Sequence, residues 1–266
     1  METTAIIKTN PLLENLRLPG ETVRLPSGGV FYKNGELASH VKNGEVHVYP
    51  MNTYEEILMK SPDKLLNGDA VQEVFTRCIP DIQKPLDLFA RDVDYLILVL
   101  RRVTYGNTID VPYTHTCDNN SYNYTIDISP FIQQAKIIDP TTLSTTYQLT
   151  LPNQQVVEII PVRFGQTIKM LQEGNMQRMI DLSDDDIKNQ FYDSLVSVIS
   201  SVDGCADPVM IREWIEQISA GWSRLIQNAL ERNSNWGPET VSTVMCKGCQ
   251  KPVQLDLSLN PITFFS

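Results

Sequence analysis

The stretch CDNNSYNYTIDIS, Cys117 to Ser129, has a counterpart near the far end of the chain, CKGCQKPVQLDLS, Cys246 to Ser258. The two align without a gap. Cys117 meets Cys246, Asp127 meets Asp256 and Ser129 meets Ser258, while Tyr124, Ile126 and Ile128 meet Val253, Leu255 and Leu257. Apolar residues at every second position predict, in each segment, a β-strand with one buried face. A cysteine turn followed by such a strand is half of a ribbon-like unit. The repeat therefore predicts a ribbon-like β-module built from two distant segments, with helices looped out between them. One position breaks the match: Cys249 faces Asn120.

That mismatch bears on metal binding. Cys246-x-x-Cys249 has the spacing of a zinc knuckle, in which two thiolates share one ion and Gly248 relaxes the turn. A tetrahedral structural site needs four ligands. The first segment supplies Cys117, with His115 two residues before it and Asp118 directly after it. The candidate metal set is Cys117, Cys246, Cys249 and His115, holding one structural zinc and no other cofactor. Three readings stay open: an intact zinc site, a ribbon that keeps its fold after losing a ligand, and redox chemistry at Cys246 and Cys249. A thioredoxin-like pair follows a strand and opens a helix. This pair precedes the alternating strand Val253–Leu257, which fits a knuckle better. Cys78 and Cys205 read as structural.

Composition bounds the rest. The 266 residues suffice for a sizeable core, and 42% hydrophobic with 20% charged residues indicates a globular chain. No apolar run approaches the roughly 18 residues of a membrane span. The N-terminus lacks a basic-then-apolar leader pattern, so a reducing cytoplasm is the expected setting. Lys and Arg number 22 against 32 acids, a net charge of −10. Phosphate neutralisation needs the opposite balance, so nucleic acid is not an expected partner.

Along the chain, residues 1–25 read as an extended arm. Lys-Asn-Gly-Glu occurs at Lys33–Glu36 and again at Lys42–Glu45. Asn-Gly favours type I′ turns, so Val30–Lys33, Leu37–Val41 and Val46–Tyr49 are predicted as strands of a β-meander. Helices follow: one capped by Thr53 with Glu56, one opened by Asn67-Gly68-Asp69, and one from Asp92 to Tyr105 stopped by Gly106. Strands are expected at Tyr124–Ile128, in Tyr147–Leu151 and at Val156–Ile160. The last third is predicted helical: Gln166–Gln172, a Ser183-capped helix reaching about Ser201, a helix opened by Asp207-Pro208, and Trp222–Leu230. The fold class is α+β, with an N-terminal β-meander, a helical layer and the ribbon-like β-module. The expected divisions are 1–25, 26–106 and 107–266, the last two forming one compact unit.

Other chemistries find little support. Ser27 in LPSGG lacks a nucleophile elbow. His40 and His47 fall in the meander. Asp184-Asp185-Asp186 suits a helix N-terminus, where negative charge is favoured. Gly28-Gly29 lacks the lysine of a phosphate loop. Trp214, Trp222 and Trp236 read first as core, and otherwise as an interface. No catalytic residue is named, and no enzymatic activity is expected.

Three further stretches carry a resemblance: LPSGGVFY (Leu25–Tyr32), VYPMNTYEEILMKSPDKLLNGDAV (Val48–Val71) and LRRVTYGNTI (Leu100–Ile109). With the two cysteine segments, they resemble the baseplate hub assembly family of T-even-like, contractile-tailed bacteriophages. The resemblance is strongest over residues 25–130. It implies a structural or assembly component of the tail baseplate hub without enzymatic activity. The implied partners are other hub and tail proteins, in the host cytoplasm during assembly and in the virion tail if the protein is retained. The family's pattern has two cysteines at the first knuckle, where this chain has Cys117 and Asn120. The alternative reading is a zinc-ribbon adaptor or regulator of transcription, although Lys247 and Lys251 are the only basic residues on the second segment.

Overall fold

The computed structural model describes residues 18–33, 35–114, 120–143, 147–177 and 183–257. It is an α+β protein of helices and small antiparallel sheets. β1 (Glu21–Arg24) pairs antiparallel with β2 (Glu45–Val48), so that Glu21 faces Val48 and Arg24 faces Glu45. The end of the expected arm is thus a strand.

The expected three-stranded meander is corrected to this single pairing. Residues 30–33 and 37–41 form turns and irregular chain, apart from an isolated bridge between Leu37 and Ile82. The reason is backbone conformation. Gly28, Gly29 and Phe31 have φ of 64°, 78° and 68°, which no strand accommodates. The second Asn-Gly does form the predicted turn, with Asn43 and Gly44 at φ 54° and 71° and the Glu45 N–H on Lys42 O at 3.0 Å. Here the chain crosses itself closely: a Cβ on Gly44 would stand 2.6 Å from the Gly29 nitrogen.

The loop that replaces the meander is tied to α4 (Ala90–Tyr105). The Asp92 carboxylate accepts the Ser27 N–H at 2.9 Å and the Tyr32 hydroxyl at 2.6 Å, and the Tyr32 oxygen accepts the Phe89 N–H at 3.0 Å. Both Ser27 and Asp92 are fully buried. Nearby, Glu36 faces Arg163 at 3.1 Å, and the guanidinium lies over the Phe89 ring.

Before α4 come α1 (Thr53–Met59), α2 (Pro62–Leu66) and α3 (Asp69–Cys78). The cap of α1 is Asn52 rather than Thr53. The Asn52 side chain accepts from the Tyr54 and Glu55 amides, and Glu55 reaches back to the Asn52 N–H at 2.8 Å. Glu55 is fixed there because it is buried and paired with Arg77 at 2.5 Å, whereas Glu56 is occupied by Lys60. Gly68 caps α3 at φ 81°. Val93, Leu96, Leu98, Val99 and Leu100 are fully buried in α4, which touches β2 and later helices. Each such leucine contributes about 1.5–3 kcal/mol of burial.

Two hairpins complete this first core. β3 (Thr108–Thr114) pairs with β4 (Ser121–Asp127), and β8 (Val241–Met245) with β9 (Pro252–Asp256). Leu255 and Leu257 join Ile109, Tyr124, Ile126 and Ile128 in the core that α3 and α4 fill. α5 (Ser129–Gln133) follows β4.

The second core lies under β5 (Gln148–Thr150), β6 (Val156–Ile159) and β7 (Ile199–Val202), ordered β5-β6-β7. α8 (Pro208–Gln217) and α9 (Ala220–Arg232) supply Ile211, Ile215, Ile226 and Ala229, and Phe89 and Trp236 complete it. α6 (Phe164–Gln177) is longer than the predicted Gln166–Gln172, and α7 (Asp184–Val196) is shorter than predicted. Residues 199–202 leave the helix and pair with β6. Their β-branched Ile199 and Val202 are buried in the sheet. No helix among the described residues is long and apolar enough to cross a membrane.

Candidate functional site

The cysteine repeat resolves into two packed hairpins. The strands of the two cysteine segments do not share a sheet; each is the return strand of its own hairpin. Burial on the return strands follows the sequence match, with Tyr124 and Val253, Ile126 and Leu255, and Ile128 and Leu257 buried pair by pair. The ladders also end alike: the Ile128 N–H bonds Asn107 O at 2.8 Å and the Leu257 N–H bonds Thr240 O at 2.9 Å.

The outgoing strands differ. From Thr108↔Asp127, β3–β4 continues through seven pairs to Thr114↔Ser121; from Val241↔Asp256, β8–β9 has five pairs to Met245↔Pro252. The connections between strand ends are residues 115–120 and 246–251, equal in length. Counted from those ends, His115 holds the place of Cys246 and Asp118 the place of Cys249. The ungapped match of Cys117 to Cys246 belongs to the return strands alone.

Cys246 is fully buried and Cys249 half-buried. The Cys246 N–H bonds Lys251 O, and the Gln250 N–H bonds Cys246 O, both at 2.9 Å, with Gln250 at φ 57°. The turn rests on the first hairpin. The Lys247 N–H donates to the Tyr124 hydroxyl at 2.9 Å, Lys247 Nζ to Asn123 O at 2.5 Å, and the ammonium lies 5.2 Å from the Tyr124 ring centroid. His115 and Cys117 lie outside the described residues. Among those described, no three His, Cys, Asp or Glu side chains form a metal cluster, and no disulfide joins the cysteines.

The other polar groups examined at the sequence level serve the fold. His40 Nε2 and the His47 N–H both bond Asp81, at 2.8 and 2.7 Å. Asp186 and Ser183 form a reciprocal cap on α7, as the acidic run predicted. A cleft of about 520 Å³ is lined by Met51, Glu55, Arg77 and Cys78, but its carboxylate is committed to Arg77 and the Asn52 amide. Burial raises the Asp92 carboxyl to about 6, against the hydrogen bonds from Ser27 and Tyr32 that hold it down. That group is sealed from solvent and has no access to a substrate.

One surface escaped the sequence reading. On α7, Ile187, Phe191 and Leu195 fall on one face, continued by Val198 beyond the helix end. Leu195 and Val198 are buried, whereas Ile187 is 54% and Phe191 39% exposed. On α6, Ile168 is buried and Leu171, three residues on along the same side, is 53% exposed, while Met170, on another side, is 44% exposed. Lys169 on α6 and Arg212 on α8 both reach Asp193 of α7. Both helices thus expose large apolar side chains beside buried ones. The i, i+4 spacing of Ile187 and Phe191 was a signal for this, but periodicity alone does not tell a covered stripe from an open one.

A family model described as T4 bacteriophage base plate protein matches residues 32–265. No curated protein and no solved structure matches the chain. The family match takes in α1 to α9 and both cysteine hairpins, and on that extent the chain belongs to the T4 bacteriophage base plate protein family.

Proposed function

We propose that this base plate protein is a scaffold of the baseplate hub that acts by protein–protein association and carries no catalytic site. Membership of the base plate family is the supporting frame. The observation that carries the mode of action is the set of large apolar side chains that α6 and α7 leave exposed. Met170, Leu171, Ile187 and Phe191 expose large side chains on helices that also bury Ile168 and Leu195. Covering such a group is worth about 1 kcal/mol or more, since full burial of a large apolar side chain yields about 1.5–3 kcal/mol. Four of them suit the centre of an interface, where a few residues carry most of the binding energy. The partners are other hub and tail proteins, met in the host cytoplasm during assembly and in the virion tail. The net charge of −10 disfavours nucleic acid as a competitor for these surfaces.

Native mass spectrometry of the tagged full chain drawn from infected cells tests this reading. The expected result is a defined complex with tail proteins. The double substitution Ile187→Glu, Phe191→Glu lowers that capture at least about tenfold, equivalent to about 1.4 kcal/mol, without changing the melting temperature. A chain recovered alone, or with polymerase subunits and no tail protein, overturns the hub reading and favours the transcriptional regulator.

A further inference from the structure

We propose that the groove between α6 and α7 receives a basic amphipathic helix of a partner protein, a reading that rests on the association mode above and names the partner's chemistry.

Both helices form the walls of this groove. A pocket of about 160 Å³ is lined by Gln166, Lys169 and Met170 of α6 and by Gln190, Asp193 and Ser194 of α7. Ile187, Gln190, Phe191 and Ser194 recur at spacings of three and four, so they share one side of α7. The exposed Ile187 and Phe191 therefore flank the wall that Gln190 and Ser194 give the pocket, and the exposed Met170 belongs to the opposite wall. The walls are tied together: Gln166 Nε2 donates to Ser197 O at 2.9 Å, and Lys169 Nζ lies 3.7 Å from the Asp193 carboxylate. Sites for small organic ligands run to about 300–1,000 Å³. A pocket of this size suits one inserted side chain, with apolar anchors of the same helix resting on Met170, Ile187 and Phe191, as in helix-in-groove recognition.

Charge selects the partner. The Ser194 and Ser197 hydroxyls donate to Phe191 O and Ser194 O, both at 2.7 Å, so their oxygens offer lone pairs to an entering donor. Asp186 lies on the pocket side of α7, four residues before Gln190 and seven before Asp193. It is exposed, and its carboxylate accepts from Ser183 of its own helix cap. Asp193 is already shared by Lys169 and Arg212, so the wider field decides. Residues 164–217, which make up α6 to α8, contain ten acids and four bases. That stretch, about a fifth of the chain, carries a net charge of −6 out of the total of −10. Such a field draws in a cationic helix and rejects an acidic one. It also disfavours a second copy of this chain, which would bring the same acidic face to the groove.

The test titrates the purified full chain with two synthetic helical peptides of about 15 residues that share one leucine face. One carries lysine and arginine on its polar face, the other glutamate. The basic peptide is expected to bind at least about tenfold more tightly, and less so as salt screens the field. Its NMR amide shifts on the unaltered chain map to Met170, Ile187, Gln190 and Phe191, a readout that needs no variant to fold. Phe191→Ser lowers the affinity about tenfold, as loss of a central anchor does. Asp186→Asn keeps an oxygen for the helix cap and lowers it about threefold, at low salt only. Equal affinity for both peptides, binding of neither, shifts that map elsewhere, or self-association of the chain through this face overturns the proposal. A chain that captures tail proteins from infected cells yet ignores the basic peptide keeps the association mode and loses the basic partner. A chain that binds the basic peptide in the groove yet captures no tail protein loses the hub reading alone.

Discussion

Replacing Asp92 by Asn probes the buried latch between the LPSGG loop and α4. The carboxylate is fully buried and is held by the Ser27 amide and the Tyr32 hydroxyl. Burial is the larger influence and lifts the carboxyl from 3.8 to about 6. A carboxyl raised on folding binds its proton more tightly in the native state. Its contribution is therefore complete below about pH 4 and is lost as the pH rises through about 6. At about 1.4 kcal/mol per pH unit, the interval between the two values corresponds to about 3 kcal/mol. Asn cannot titrate, so the variant lacks this loss. It also reorients one hydrogen bond with Tyr32, at a pH-independent cost of about 1 kcal/mol. Asp94, likewise raised to about 6 by burial, has a side chain 35% exposed and is common to both proteins, so it drops out of the comparison. Urea denaturation of both proteins across pH 4 to 7.5 measures the effect. The variant is expected to gain about 2.5 kcal/mol on the unaltered protein over that range, since part of the effect is already present at pH 4. A difference that stays flat, or in which the unaltered protein gains with rising pH, refutes the argument that burial outweighs the two hydrogen bonds.

Arg163→Ala removes the ionic partner of Glu36, whose side chain is 8% exposed and otherwise accepts the Lys33 N–H. The expected loss is about 3–5 kcal/mol, because an uncompensated buried charge remains; adding Glu36→Gln recovers part of it, as read by the same urea titrations. Asn52→Ala costs about 1 kcal/mol through loss of the α1 cap. Thr53→Ala changes stability by less than about 0.5 kcal/mol, so the pair of melting curves places the cap at one residue or the other.

What was legible in the sequence was local. The alternation of Tyr124, Ile126 and Ile128, and of Val253, Leu255 and Leu257, gave two half-buried strands because a pleated strand turns every second side chain inward. Gly68, Gly106 and Asp207-Pro208 marked helix ends through backbone preferences that need no tertiary partner. The failures came where distant contacts decided the outcome. Glu21–Arg24 carries one buried apolar residue, Val23, and becomes a strand only because β2 pairs with it. Ile199–Val202 continued the apolar spacing of α7 well enough to read as helix, until pairing with β6 claimed it. The latch on Asp92 joins residues 65 positions apart, and nothing near Asp92 in the chain announces Ser27 as its partner.

The cysteine repeat shows how a correct match can mislead about ligands. The alignment followed the return strands, where burial imposes the same alternation twice, and it placed Asn120 opposite Cys249. Strand pairing supplies a second frame, because β3–β4 is two pairs longer than β8–β9. In that frame the connections are equal and the counterparts of Cys246 and Cys249 are His115 and Asp118. The mismatch of Asn120 with Cys249 thus belongs to the return-strand alignment and disappears in the frame set by strand pairing. A ladder two residue pairs longer is longer by about 7 Å at the rise of an antiparallel strand, so an alignment anchored on the return strands and one anchored on the strand ends pair different residues. Among the described residues, the two hairpins are joined by the Lys247 N–H on the Tyr124 hydroxyl and by the core that Tyr124, Ile126, Leu255 and Leu257 share.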